Sequence, residues 1–172
     1  MKHKLLALAL AAGAAFAPVA ATAADFINLT PKPKQMTAGT GTLVLPSQFA
    51  ISSTGLTAEM QAEITKFAAA FAHATGLTVT EGADGLFSVS HNADIAPEGY
   101  KLTVAADGVA IEASAAAGLY YAFQTVKKIA GTNVAIGVAA PGQYELPCLT
   151  VNDEPRYPWR GMELDCARHF FS

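Results

Sequence analysis

The stretch Tyr100-Lys101-Leu102-Thr103-Val104-Ala105-Ala106-Asp107-Gly108-Val109-Ala110-Ile111-Glu112-Ala113 decides how this chain is read. Tyr100, Leu102 and Val104 alternate with polar or small residues, Asp107-Gly108 marks a turn, and Val109, Ile111 and Ala113 resume the alternation. A period of two sends every second side chain to one face, so the stretch predicts a hairpin with one buried face. Directly after it the period changes. Leu119, Phe123, Val126 and Ala130 share one helical face. Ser114 stands where a cap would start that helix, Lys127-Lys128 fall in its last turn, and Gly131 stops it.

The same grammar extends outward. Met60, Ile64, Phe67, Ala68 and Phe71 fall at i, i+4, i+7, i+8 and i+11 and predict a helix over 58–75. Thr57 suits its cap, Glu59 its positive end, and Gly76 the position past its last turn. Leu77/Val79, then Leu86-Phe87 and Val89, read as strands. Phe26-Ile27-Asn28, Leu43-Val44-Leu45 and Phe49-Ala50-Ile51 are short extended pieces, interrupted by Thr30-Pro31-Lys32-Pro33-Lys34 and by Gly39–Gly41. Downstream, residues 131–143 read as a loop or small hairpin around Val134-Ala135-Ile136, and Cys148 to Val151 as a last strand. The expected fold class is α+β, a mostly antiparallel sheet with two helices on one face.

The chain has 172 residues, 52% hydrophobic and 15% charged, which excludes a disordered tail, a collagen-like fibre and a small disulfide scaffold. Basic Met1-Lys2-His3-Lys4, the uncharged apolar run Leu5 to Phe16 and small Ala21-Thr22-Ala23 follow the order of a cleavable secretory signal peptide. The run is shorter than the roughly 20 residues needed to cross a bilayer. Residues 1–23 are therefore expected to be removed, placing the protein in a periplasm or outside the cell. Removal takes two of the 11 basic residues and none of the 14 acidic ones, leaving a net charge of 9 − 14 = −5. An acidic chain without a Lys/Arg cluster has no footprint for nucleic acid, and no later stretch reaches membrane-spanning length. Cys148 and Cys166 could pair in an oxidising compartment, whereas two cysteines without further ligands do not make a zinc site.

After Pro155 the character changes. Residues 156–171 hold three Arg, His169, two acids and four of the chain's aromatics. Trp159 to Asp165 can form a strand, with Asp165, Arg168 and His169 at its C-terminal end, where side chains gather in barrel active sites. That piece has no following helix or partner strands, and reads as the start of a domain continuing beyond Ser172. Other candidates are plainer. His73 ends a helix; His91, Asn92 and Asp94 share a polar loop without ligand spacing; one or both of Tyr120 and Tyr121 belong to the core. No Gly-rich phosphate loop, nucleophile elbow or His-Glu-x-x-His motif is present.

The run Asp153-Glu154-Pro155-Arg156-Tyr157-Pro158-Trp159-Arg160-Gly161, with Leu164-Asp165 and Arg168-His169-Phe170, resembles the opening of the catalytic barrel of glycoside hydrolase family 20, the β-N-acetylhexosaminidases. Upstream, Pro31-Lys32-Pro33 with Gly41-Thr42-Leu43, then Gly99 to Val104, Gly108 to Ile111 and Gly118 to Val126, resemble that family's N-terminal domain. Ala122 and Cys166 depart from the usual Gly and aliphatic residue. After the signal peptide at residues 1–23, the resemblance implies 24–152 as a non-catalytic α+β domain, and 153–172 as connector and first strand of a (β/α)8 barrel.

It also implies a retaining hydrolase in which the substrate's own 2-acetamido oxygen attacks the anomeric carbon, an exception to the two-carboxylate scheme. An Asp orients the acetamido group and an adjacent Glu protonates the leaving oxygen; that pair belongs to a later strand, beyond this chain, so no catalytic residue is assigned here. Asp153-Glu154 is not a substitute, because it precedes the first barrel strand. Arg168 corresponds to the residue that binds hydroxyls of the terminal sugar, as a guanidinium's fixed donors suit, and Asp165 would support it. Trp159 and Arg160 are expected at the domain junction. N-acetylhexosamine-terminated glycans or chitin oligosaccharides are the implied substrates, without metal or organic cofactor. The alternative is a stand-alone non-catalytic carbohydrate-binding or scaffolding module.

Overall fold

Apolar residues two apart become strands, and those three and four apart become helices, over residues 29–161, which the computed structural model describes. The order is β1 (Gln35–Val44), β2 (Gln48–Thr54), α1 (Ala58–Thr75), β3 (Thr78–Glu81), β4 (Phe87–His91), β5 (Tyr100–Ala105), β6 (Gly108–Ala113), α2 (Ala116–Ala130), α3 (Thr132–Ile136) and β7 (Glu145–Asp153). The seven strands form one sheet in the order β1-β7-β5-β6-β4-β2-β3. The expected piece Phe26–Asn28 lies outside the described residues.

The deciding stretch folds into the expected hairpin, with its turn one residue earlier than Asp107-Gly108. β5 and β6 pair antiparallel from Tyr100↔Ala113 to Ala105↔Gly108, with Ala106-Asp107 as the two-residue turn. Tyr100, Leu102, Val104, Val109, Ile111 and Ala113 are all buried, and the opposite face carries Lys101, Thr103 and Ala110 in solvent. α1 buries the predicted stripe, and the Thr57 hydroxyl accepts the Met60 amide at 3.3 Å. Gly76 adopts the left-handed φ of 75° that ends the helix. Phe67 of α1 stacks on Phe123 of α2 with centroids 4.1 Å apart, while Phe49 of β2 stacks on Phe87 of β4 at 4.8 Å. Both long helices thus cover one face of the sheet.

Four expectations are corrected. The sheet is mixed rather than mostly antiparallel: β4 pairs parallel with β2 and β6, and β2 with β3. Alternation fixes which face a side chain takes, not the direction of the neighbouring strand, so this was not carried by the periodicity. Among the described residues there are three helices rather than two, because residues 132–136 form α3, which buries Val134. The cap of α2 is Ala115, without a side-chain hydrogen bond, rather than Ser114. Finally, Gly39–Gly41 does not break β1 but forms a bulge, with register shifting between Ala38 and Thr42 and Gly41 at φ 89°. The expected start of a barrel lies mostly in residues 162–172, outside the described residues.

Candidate functional site

The chain enters and leaves the sheet side by side, because β1 pairs with β7 from Gln35↔Asn152 to Val44↔Glu145. At that end the Lys34 amide donates to Asp153 Oδ1 at 2.9 Å, and the Lys34 ammonium pairs with the Glu154 carboxylate. The last carboxylate of β7 and the one that follows it are therefore engaged by one lysine. Their contacts are those of a connector held against its own domain.

Beyond them a cleft of about 460 Å³ opens between the segment from Leu29 to Pro33, the outer side of α2 and the connector. Two hydroxyl-centred arrangements line it. Tyr100 Oη lies 2.7 Å from Thr125 Oγ1, with Tyr100 only 2% exposed. Burial pushes this phenol up to about 12; the Thr125 bond pulls the other way, and the negative Asp153 adds to the rise. Second, the Arg160 guanidinium pairs with Glu98, reaches Tyr121 Oη at 3.4 Å and donates to the Tyr157 carbonyl at 2.7 Å. Tyr121 Oη in turn donates to Glu98 at 3.3 Å. Lys128 closes the far side by donating to the Thr30 carbonyl at 2.6 Å. Glu98 and Glu154 each already face a cation, and Asp153 accepts the Lys34 amide. The cleft holds chain segments together rather than offering a free acid and base.

The residues singled out from sequence fall as follows. Arg168 and Asp165, with His169 and Cys166, lie outside the described residues. Cys148 is buried in β7 without a disulfide partner among the described residues. His73 and His91 are exposed. Asn92 donates to Glu112 at 2.6 Å and accepts the Asp94 amide at 3.0 Å, which makes that loop a turn. Among the described residues no group of three His, Cys, Asp or Glu side chains could hold a metal ion. Tyr121 packs half-buried against the core while Tyr120 is exposed. Glu98 was missed. A lone acid before Gly99 has no motif, and only its pairing with Arg160 across the fold gives it a role.

The fold agrees with comparisons to known proteins. The sequence model of glycosyl hydrolase family 20, domain 2, matches residues 27–154, and the chain belongs to that family. It is 40% identical over 75 residues to a beta-N-acetylhexosaminidase of Cellulomonas fimi, covering 44% of this chain and 14% of that protein. It is 29% identical over 150 residues to beta-hexosaminidase B of Pseudoalteromonas piscicida, covering 85% of this chain and 17% of that one. Among solved structures, the GH20 beta-N-acetylhexosaminidase of Streptomyces coelicolor A3(2) superposes with a TM-score of 0.70 at 31% identity, covering 83% of this chain and 29% of the other. The match thus spans less than a fifth of these curated relatives and less than a third of that structure.

Proposed function

We propose that this chain is the N-terminal part of an exported β-N-acetylhexosaminidase, comprising signal peptide, non-catalytic α+β domain, and the connector and first strand of a catalytic barrel. The observation that carries the reading is one of order. The family's domain covers residues 27–154, and the Leu164-Asp165/Arg168-His169-Phe170 motif follows within the same chain. On this reading the whole enzyme removes terminal N-acetylglucosamine or N-acetylgalactosamine from glycans or chitin oligosaccharides. The substrate's acetamido oxygen displaces the leaving group at the anomeric carbon, with a protonated Glu delivering the proton. Water then opens the cyclic intermediate and restores the acid. The chemistry needs a carboxylic acid of raised pKa beside an ionised carboxylate, and both are assigned to sequence beyond Ser172. Arg168 binds sugar hydroxyls, Asp165 holds its guanidinium, and no metal or organic cofactor takes part.

The test begins with the DNA following codon 172. An open frame of roughly 250 further codons, the size of a barrel, with an adjacent Asp-Glu at a strand end is expected. The protein made from that frame should turn over a chromogenic N-acetylglucosaminide, whereas the 172-residue chain should not. N-terminal sequencing of the exported protein should read Ala24-Asp25-Phe26. Turnover by the short chain, or none by the long one, would sink the assignment; the latter would favour a binding module.

A further inference from the structure

Past the end of β7 the chain loses its backbone ties. Among the described residues no backbone hydrogen bond joins residues 154–161 to the domain, and that segment forms neither helix nor strand. Its aromatic side chains add little, because Tyr157 is 70% exposed and Trp159 84% exposed. Charged side chains at its two ends hold it instead. The Lys34 ammonium pairs with Glu154 at the start, and the Arg160 guanidinium pairs with Glu98 at the finish. Arg160 also donates to Tyr121 Oη at 3.4 Å, and that hydroxyl donates to Glu98 at 3.3 Å.

Pro155 and Pro158 fix their own φ and keep Glu154 and Tyr157 in extended backbone. The segment is therefore a short, stiff arm hinged where β7 ends. Glu154, Pro155, Arg156 and Arg160 of this arm line the same cleft as Tyr121 and Thr125, so the arm is one of its walls. Neither ion pair is buried, with side-chain exposures of 55% and 39% at Lys34–Glu154 and 42% and 37% at Arg160–Glu98. A solvated pair favours its closed form only about 1.4- to 5-fold, so two together favour closure roughly 2- to 30-fold. That is enough to keep the arm mostly shut and too little to lock it.

We propose that residues 154–160 are a charge-latched strap. At low ionic strength the two ion pairs hold it closed along the cleft. As salt rises it swings free on the end of β7, and the cleft loses that wall while sheet and helices stay folded. The core takes no part in the latch, since none of Lys34, Glu98, Glu154 and Arg160 is buried. The strap uses no group of the reaction proposed above, so it stands or falls separately from that reading.

Trp159 is the only tryptophan and lies between the two latches, so its fluorescence anisotropy in the 172-residue chain follows the strap. Raising NaCl from about 0.01 M to about 1 M shortens the screening length from about 30 Å to about 3 Å. The anisotropy should fall over that range at constant far-UV circular dichroism. Glu98→Gln should start low and lose most of the salt response. Lys34→Gln, which keeps the amide bond to Asp153, should lose a smaller part because its latch lies further from Trp159. The two together should be low and flat at every salt concentration. Tyr121→Phe removes no charge and should keep the response. The exchange Glu98→Arg with Arg160→Glu should restore the response that either half abolishes. A flat anisotropy in the parent chain would overturn the strap, as would a fall that persists in the double variant. A fall that tracks loss of the far-UV signal would also overturn it, because the domain itself would then be opening.

Discussion

Glycine inside a helix costs about 1 kcal/mol against alanine, yet Gly118 sits in the first turn of α2. The reason is contact, since an added Cβ would lie 2.1 Å from the Gly99 carbonyl oxygen. Gly118→Ala should therefore destabilise the protein by about 1–3 kcal/mol despite its better helix propensity, read as a lower urea midpoint; an unchanged or higher midpoint would refute the contact. Tyr100 makes a pH prediction. Its folded pKa is about 12 against an ordinary 10.0, so the folded state holds the proton more tightly than the unfolded chain. That stability is complete below pH 10 and is lost as pH rises through 12, up to about 3 kcal/mol in all. Tyr100→Phe should flatten this alkaline limb relative to the parent. Both glycines and the tyrosine stood in the sequence as parts of recognisable runs. What they touch did not, because each partner lies on another element.

At the scale of elements, the two long helices and the β5–β6 hairpin were legible because each carries an unbroken apolar period and a stop signal. The parallel half of the sheet had one cue. β2, α1 and β3 follow one another as strand, helix and strand, the order in which a right-handed crossover places neighbouring strands parallel. The next connection hides the rest. Between β3 and β4 the chain passes across β2, and a Cβ on Gly85 would come 2.3 Å from the Ser52 amide nitrogen. Only backbone contact marks that crossing, and backbone leaves no hydropathy pattern. α3 was missed because it is only five residues long, with one buried side chain. The start of α2 went one residue astray. Ala115 has the extended φ of −149° and ψ of 166° of a cap but no oxygen to offer. Ala115→Ser should gain about 1 kcal/mol and raise the thermal midpoint by several degrees, while Ser114→Ala should move it little. The reverse ranking would restore Ser114 as the cap.

For the whole molecule, the sequence marked a boundary more clearly than a site. The break in composition at Pro155 coincides with the connector that Lys34 and Glu98 hold. Arg168 and Asp165 lie past the described residues, so their part rests on motif and family. The pairing of β1 with β7 has one more consequence, in time rather than in space. Gln35 and Asn152 are 117 positions apart, and closing a loop of that length costs on the order of 4 kcal/mol. β1 must therefore wait as an unpaired edge until nearly the whole domain has been synthesised. The α1–α2 layer and the local hairpin close shorter loops, so the pairing that brings the two ends of the domain together carries the largest closure cost of the sheet.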